Sequence, residues 1–111
     1  MNTTTLEFLV QGSEASPYTV IFTIDGVKLS ATCTCRAGIM GNLCKHRLNI
    51  LNNDTSNITS NNTDQFPTIQ NWLKLSSAYE LIAMVAALEA EKRIIDEKLK
   101  KIKKKVVKAL S

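Results

Sequence analysis

The chain has 111 residues, of which 44% are hydrophobic and 5% aromatic, and its formal net charge is +4. This length allows one modest core, or a small module joined to one long helix, and the apolar fraction excludes a disordered chain. No apolar run approaches the roughly 20 residues that a membrane span needs, and the N-terminus has neither a basic start nor a long apolar stretch. We therefore expect an intracellular protein with no secretory signal and no membrane contact.

The first elements of the chain are predicted to be strands. Residues 6–10 favour a short strand, and residues 18–24 favour a longer one because they are β-branched and aromatic. The Asp25-Gly26 dipeptide that follows favours a two-residue type I′ turn, whose central residues both need positive φ. Residues 27–33 are then expected to return as the partner strand.

This turn fixes the register of the predicted hairpin. It places Ile24 opposite Val27, and side-chain alternation then makes one face of the hairpin apolar as far as Cys33. A hairpin with one apolar face needs a cover to be stable. A short helix within Leu43–Leu51 is expected to supply that cover.

All three cysteines and the single histidine of the chain fall within fourteen residues. They are arranged as Cys33-x-Cys35, eight residues, and then Cys44-x-His46. An odd number of cysteines argues against a closed disulfide framework, and a reducing compartment keeps thiols free for a metal. The alternative is that these are small buried cysteines and an ordinary surface histidine, but the paired spacing favours a metal site.

Each half of this pattern has a geometric explanation. Side chains two residues apart on a strand point the same way, so Cys33 and Cys35 can offer two thiolates to one ion. Residues two apart on a helix point about 200° apart. Cys44 is therefore expected in the turn before a helix, with His46 in its first turn.

The connecting loop gains conformational freedom from its two glycines, Gly38 and Gly41. Three thiolates and one imidazole suit a tetrahedral Zn²⁺ ion, and they leave no coordination position open for water. The sequence therefore predicts one structural zinc per chain, whose binding contributes directly to folding.

The Cys33-x-Cys35 pair after a hairpin, followed by Cys44-x-His46 at the start of a helix, resembles the SWIM zinc finger. The resemblance covers about residues 18–52. It implies a small fold of a β-hairpin plus a helix, with these four residues as the zinc ligands. It also implies an association with DNA binding or with protein–protein interaction.

The rest of the chain divides at a polar stretch made almost entirely of Asn, Thr, Ser and Asp, which favours a flexible linker or a surface loop. From Ser77 onward no Gly or Pro interrupts the chain, and Ser77 with Glu80 fits a helix-capping box. We therefore predict an α+β protein with three segments: a zinc-binding module at 1–52, a polar linker at 53–67 and a long helix of coiled-coil type at 68–111.

The long helix carries a predicted seam for another helix. Its apolar residues alternate at spacings of four and three, a heptad pattern over about four heptads that Lys92 interrupts. The seam consists of Leu81, Val85, Leu88, Ile95, Leu99, Ile102 and Val106. A homodimeric coiled coil is favoured, because two-fold dimers are the commonest oligomers. The alternatives are a hetero-assembly with a protein partner and a helix that covers the hairpin of its own chain.

The charge is unevenly placed, with a net of −1 over residues 1–67 and +5 over residues 68–111. Seven lysines from Lys98 to Lys108 either neutralise nucleic-acid phosphates or form a solvated face that complements the helix dipole. We favour the solvated face, because charge runs are usually solvated faces. In addition, no aromatic residue follows Tyr79 to stack on bases. The candidate contacts to nucleic acid or an acidic partner are Arg36, Lys45 and Arg47 near the zinc site and Lys100, Lys101, Lys104 and Lys105 on the helix.

These features favour a non-enzymatic zinc-binding adaptor that works through protein interactions, because the predicted zinc module is nearly neutral. The alternative is a nucleic-acid-binding accessory protein that uses the Lys-rich helix. A third interpretation is a small viral or mobile-element inhibitor of a host nucleoprotein complex. An enzyme is not expected, since zinc takes the only histidine and every cysteine, which leaves no Cys–His pair for nucleophilic catalysis.

Overall fold

The computed structural model describes residues 3–111 and confirms the α+β class. The chain forms two compact units, one that ends at Tyr79 and one from Glu80 to Ser111. Three strands form one antiparallel sheet in the order β1-β2-β3, and helices follow them in the chain. The strands are β1 (Thr3–Val10), β2 (Tyr18–Asp25) and β3 (Lys28–Cys33), and the helices are α1 (Arg36–Ile39), α2 (Lys45–Leu51), α3 (Phe66–Leu75) and α4 (Ala78–Leu110), with a 3₁₀ turn at Thr63–Gln65 before α3.

The hairpin between β2 and β3 differs from the predicted register by two residues. Asp25 pairs with Lys28, so the loop is Gly26-Val27, and the predicted pairing of Ile24 with Val27 is wrong. Of the two loop residues only Gly26 has positive φ, at +63°, because the β-branched side chain of Val27 disfavours that region. Positive φ at the first loop residue alone is the pattern of a type II′ turn. A shift of two residues keeps every side chain on its predicted face.

The core of the first unit lies between one face of the sheet and helices α2 and α3. The rings of Phe8 and Phe22 meet edge to face with centroids 6.2 Å apart, and those of Phe8 and Phe66 with centroids 5.2 Å apart. Ile69 and Trp72 of α3 are also buried. The predicted helix within Leu43–Leu51 therefore covers only part of the apolar face of the sheet, because α3 covers the rest.

The segment predicted as a polar linker lies along the edge of β1 that faces away from β2. The backbone N of Thr59 donates to the oxygen of Leu9 at 2.8 Å, and the N of Leu9 donates to Oγ of Ser60 at 3.0 Å. Nδ2 of Asn62 donates to the oxygen of Glu7 at 2.7 Å. An edge strand has unpaired backbone groups, and these polar residues satisfy them. The segment therefore lies against the sheet as a surface loop, which is one of the two alternatives that its composition favours.

The segment predicted at 68–111 contains two helices, α3 and α4, and the uninterrupted helix expected from Ser77 onward corresponds to α4. Helix α3 ends at Leu75, and Ser76 has an extended conformation with φ −94° and ψ 162°. The side-chain oxygen of Ser76 accepts a hydrogen bond from the N of Ala78 at 3.2 Å. Ser76 therefore supplies the oxygen at the start of α4, one residue earlier than the predicted Ser77.

Helix α4 has 33 residues, and none of them is buried. Charged residues occur along most of this helix and separate its hydrophobic residues into short groups. Among the described residues, no helix combines the length and the apolar character that crossing a bilayer requires.

Candidate metal centre

The four predicted ligands come together where β3, α1 and α2 meet. Cys33 is the last residue of β3, Cys35 is the N-cap of α1, and Cys44 is the N-cap of α2. His46 is the second residue of α2, in its first turn. All four side chains are buried, with exposed fractions of 3–7%.

The donor atoms of these four residues all lie within 4.8 Å of one another. Nδ1 of His46 is 3.8 Å from Sγ of Cys33. A tetrahedral zinc ion with Zn–S distances of about 2.3 Å has ligand–ligand edges of about 3.7 Å. The donor set therefore has the spacing of a zinc site, and its chemistry of three thiols and one imidazole is the kind that zinc prefers.

The first pair of cysteines is placed by a turn rather than by strand alternation. Cys33 ends β3, and Cys35 already has the role of a helix cap, with its sulfur accepting a hydrogen bond from the N of Gly38 at 3.3 Å. A Cβ at Gly38 would clash with the carbonyl oxygen of Cys33 and lie 2.9 Å from its Cβ. Gly38 is therefore needed for the close approach of α1 to the end of β3. Gly41 has φ of +80°, a backbone conformation that glycine adopts easily and that residues with a side chain rarely adopt.

The second pair follows the predicted geometry, with Cys44 before a helix and His46 in its first turn. Arg47 holds Cys44 in place, because its backbone N and its Nε donate to Sγ of Cys44 at 3.4 and 3.3 Å. The guanidinium also donates to the carbonyl oxygens of Ala31, at 3.1 Å, and of Asn42. One side chain thus connects a ligand, a strand and the loop before α2.

The electrostatic environment differs among the ligands. Burial raises the pKa of the Cys33 thiol to about 12. Burial also acts to raise the pKa of Cys44, but the hydrogen bonds from Arg47, together with those from Cys33 and Cys35, outweigh it and leave this pKa below its usual value. Burial, and to a smaller extent the charge of Lys45, lowers the pKa of His46 and favours the neutral imidazole that ligates metals. A divalent cation among these groups would supply the charge that stabilises all three thiolates.

The histidine ring is positioned by Tyr18 and Gly12. The ring centroids of Tyr18 and His46 are 4.8 Å apart with an angle of 45° between the planes. A Cβ at Gly12 would clash with Tyr18 and lie 3.2 Å from Nε2 of His46. Nε2 is buried and has no hydrogen-bond partner among the described atoms. Nδ1 lies 3.8 Å from the sulfur of Cys33, so it is the nitrogen that would ligate a metal held by these four residues.

Three residues near the site were predicted to contact nucleic acid or a partner. Arg36 and Lys45 are exposed. Arg47 is only partly exposed, and its guanidinium is used within the fold. The sequence analysis missed this structural role, although the spacing of three residues from Cys44, a helix-capping distance, was a signal for it. Gly12 and Tyr18 were also missed, since they are distant from the ligands in sequence.

The remaining predicted residues lie on α4. The four lysines proposed as contacts, Lys100, Lys101, Lys104 and Lys105, are all exposed. Six seam residues have exposed fractions between 50% and 62%, namely Leu81, Leu88, Ile95, Leu99, Ile102 and Val106. Val85, the seventh, is partly exposed.

The SWIM zinc finger family model matches residues 8–53 of this chain. The match includes the four clustered ligands and also the end of β1, so it begins ten residues before the predicted resemblance. The comparison with curated proteins gives no match, and neither does the comparison with solved structures. The family match and the closed set of four donor atoms both indicate one structural zinc per chain. The match therefore confirms the predicted resemblance of this segment to the SWIM zinc finger.

Proposed function

We propose that this protein is a non-enzymatic zinc-binding interaction module. In this proposal the zinc finger is a rigid head that folds around its metal, and α4 binds another helix through its seam. That helix belongs either to a second copy of the chain or to a different protein. A single observation carries the proposal: six of the seven seam residues of α4 keep half or more of their surface exposed.

The physical reason is the cost of leaving such a surface in water. The six most exposed seam residues recur at spacings of seven, four and three, so they lie along one stripe of the helix. Burying a large aliphatic side chain stabilises a complex by about 1.5–3 kcal/mol at full burial. A contiguous apolar stripe of this kind is typical of a surface that binds a partner.

A catalytic role has less support. The four donors of the zinc finger fill a tetrahedral shell, which is the arrangement of structural zinc rather than of catalytic zinc. A SWIM zinc finger is a binding module. The adaptor role is therefore the interpretation that the zinc finger and the exposed seam support together.

The proposal is tested with a pair of matched variants of α4. Leu88→Asp with Leu99→Asp places two charges in the seam, whereas Ala83→Asp with Ala90→Asp places the same charges on the opposite side of the helix. Zinc-loaded proteins are compared by light scattering for self-association and, after nuclease treatment, by affinity capture from a lysate. We expect the seam variant alone to lose its partner. Equal behaviour of the two variants would contradict the proposal.

An alternative function is nucleic-acid binding by the C-terminal part of α4, supported by seven exposed lysines between Lys98 and Lys108. Clustered lysines neutralise phosphates and release counterions, so binding weakens steeply as salt increases. Replacing Lys100, Lys101, Lys104 and Lys105 by Gln should then reduce both the affinity for DNA and its salt dependence. Capture that disappears after nuclease treatment would favour this alternative over the protein-interaction proposal.

A further inference from the structure

The two halves of α4 carry opposite charge. Residues 78–97 include five acidic and two basic residues, whereas residues 98–111 include seven basic residues and no acidic one. The heptad pattern places exposed charges directly beside the seam, and these flanking residues are Glu89, Glu91, Asp96, Lys98, Lys103 and Lys105. Charges at flanking positions set the orientation in which two helices pair.

A parallel, in-register pair of α4 helices would bring like charges together. In that arrangement Glu91, Lys98 and Lys105 each meet the residue five positions further along the other helix. Glu91 would lie beside the partner's Asp96, and Lys98 beside the partner's Lys103. Lys92, which interrupts the seam, would face the partner's Lys92 in the core of the dimer. Each of these contacts is repulsive, and no attractive pair offsets them.

An antiparallel pair has the opposite property. When Leu99 packs on the partner's Ile95, the heptads of the two helices align from Val85 to Ala109. Glu91 then lies beside the partner's Lys105. By the same alignment Glu89 lies beside the partner's Lys103.

The antiparallel arrangement also changes the environment of Lys92. This residue then faces the partner's Ile102, so its ammonium can extend to solvent without meeting a second one. By symmetry the dimer has four attractive flanking pairs. The like-charged contacts that remain are at the two-fold axis, where Asp96 meets the partner's Asp96 and Lys98 meets the partner's Lys98.

We propose that α4 binds the α4 of a second copy of this chain as an antiparallel two-stranded coiled coil, with the two-fold axis near Glu97. The proposal rests on the proposed function, because it takes the seam to be a helix-binding surface, and it names the occupant and its direction. The interface is isologous, as in most homodimers. Each helix begins at Ala78. The two Ala78 residues of the dimer are then about 38 residues apart along the coiled-coil axis, which is a distance of roughly 57 Å.

The test uses charge reversal at one pair of flanking residues in the full zinc-loaded chain. Dimer dissociation constants are measured by sedimentation equilibrium at low salt. Glu91→Lys should raise the dissociation constant about tenfold, because two attractive contacts per dimer become repulsive. Lys105→Glu should have a similar effect. The double variant Glu91→Lys with Lys105→Glu should return close to the wild-type value.

The matched control is Glu97→Lys, which makes the same change of charge on the outer side of the helix. We expect its dissociation constant to stay within about twofold of wild type. The zinc content of every variant is measured to show that the head stays folded, and high salt should reduce all of the differences.

A parallel dimer would give the opposite result, since Glu91→Lys would bring a lysine beside the partner's Asp96 and tighten the dimer. That outcome would overturn the proposal, and so would a wild-type chain that stays monomeric. The wild-type chain could be monomeric and bind a different protein, and the variant Leu88→Asp with Leu99→Asp could lose that protein. This result would overturn the antiparallel dimer alone. The proposed function would then stand without it.

Discussion

Arg47 donates two hydrogen bonds to the sulfur of Cys44, from its backbone N at 3.4 Å and from its Nε at 3.3 Å. The rest of its guanidinium reaches the carbonyl oxygens of Ala31 and Asn42. Groups that hydrogen-bond to a metal ligand fix its orientation and tune its basicity. Arg47 therefore links the affinity for zinc to the packing of α2 against β3.

Replacing Arg47 by Ala should weaken zinc binding by about ten- to a hundredfold, the range seen when groups that support metal ligands are removed. Arg47→Lys should recover only part of this affinity, because an ammonium cannot reproduce the planar fork of a guanidinium. Competition with a chelating dye measures both affinities. The control is Arg36→Ala, at an exposed arginine close to the site. If Arg47→Ala bound zinc as tightly as Arg36→Ala, the supporting role of Arg47 would be excluded.

Removing one ligand should unfold the first unit. Cys44→Ser leaves two thiolates and one imidazole, so the binding energy that holds β3, α1 and α2 together is lost. The only tryptophan of the chain, Trp72, is buried in this unit and reports the change as a red shift of its fluorescence. Strong chelators should give the same shift in the wild-type protein.

Elemental analysis accompanies that experiment, with Leu43→Ser as the control because Leu43 is exposed and next to Cys44. We expect one zinc per chain in the control and none in Cys44→Ser. A variant that keeps both its metal and a native fluorescence spectrum would disprove the assignment of Cys44 as a ligand.

The metal ligands could be predicted from the sequence because their geometry is local. Cys44 and His46 are two residues apart, and only one placement of a helix start lets both reach the same ion. The uninterrupted helix after Ser77 was predictable for the same reason, since it depends on the absence of Gly and Pro. In both cases residues close in sequence determine the structure.

The parts that differ from the prediction depend on residues that are distant in sequence. Nothing near Ser60 indicates that its hydroxyl meets the backbone of Leu9, fifty-one positions away. The turn at Gly26 is a local feature, but Gly26 can be the second residue of a type I′ loop or the first residue of a type II′ loop. The choice between them follows from the pairing of Asp25 with Lys28. The support of His46 by Tyr18 likewise arises only in the folded chain.

Gly12 should not tolerate a larger residue. A methyl group there would clash with the ring of Tyr18, which packs against the zinc ligand His46. Overpacking of this kind costs about 1–3 kcal/mol in the free energy of unfolding. Urea denaturation of Gly12→Ala, followed by Trp72 fluorescence, measures the loss, and Ser13→Ala at the next, exposed position is the control.

The clash also predicts coupling between two positions. Because Tyr18→Ala removes the ring that the new methyl group meets, the double variant Gly12→Ala with Tyr18→Ala should lose less stability than the sum of the two single losses. Additive losses would show that the effect of Gly12→Ala comes from the backbone and not from the contact with Tyr18.

The polar segment after α2 should behave as part of the folded unit. Oγ of Ser60 accepts from the backbone N of Leu9 at 3.0 Å and donates to Oδ1 of Asn62 at 2.7 Å. Ser60→Ala leaves a partly buried N–H without its acceptor, at a cost of about 1 kcal/mol. It should also speed proteolytic cleavage of the segment, because the segment must leave the edge of β1 before a protease can cut it. Asn61→Ala, at the adjacent exposed position, should change neither stability nor cleavage. Equal and rapid cleavage of the wild-type protein and both variants would instead indicate the flexible linker that the composition favours.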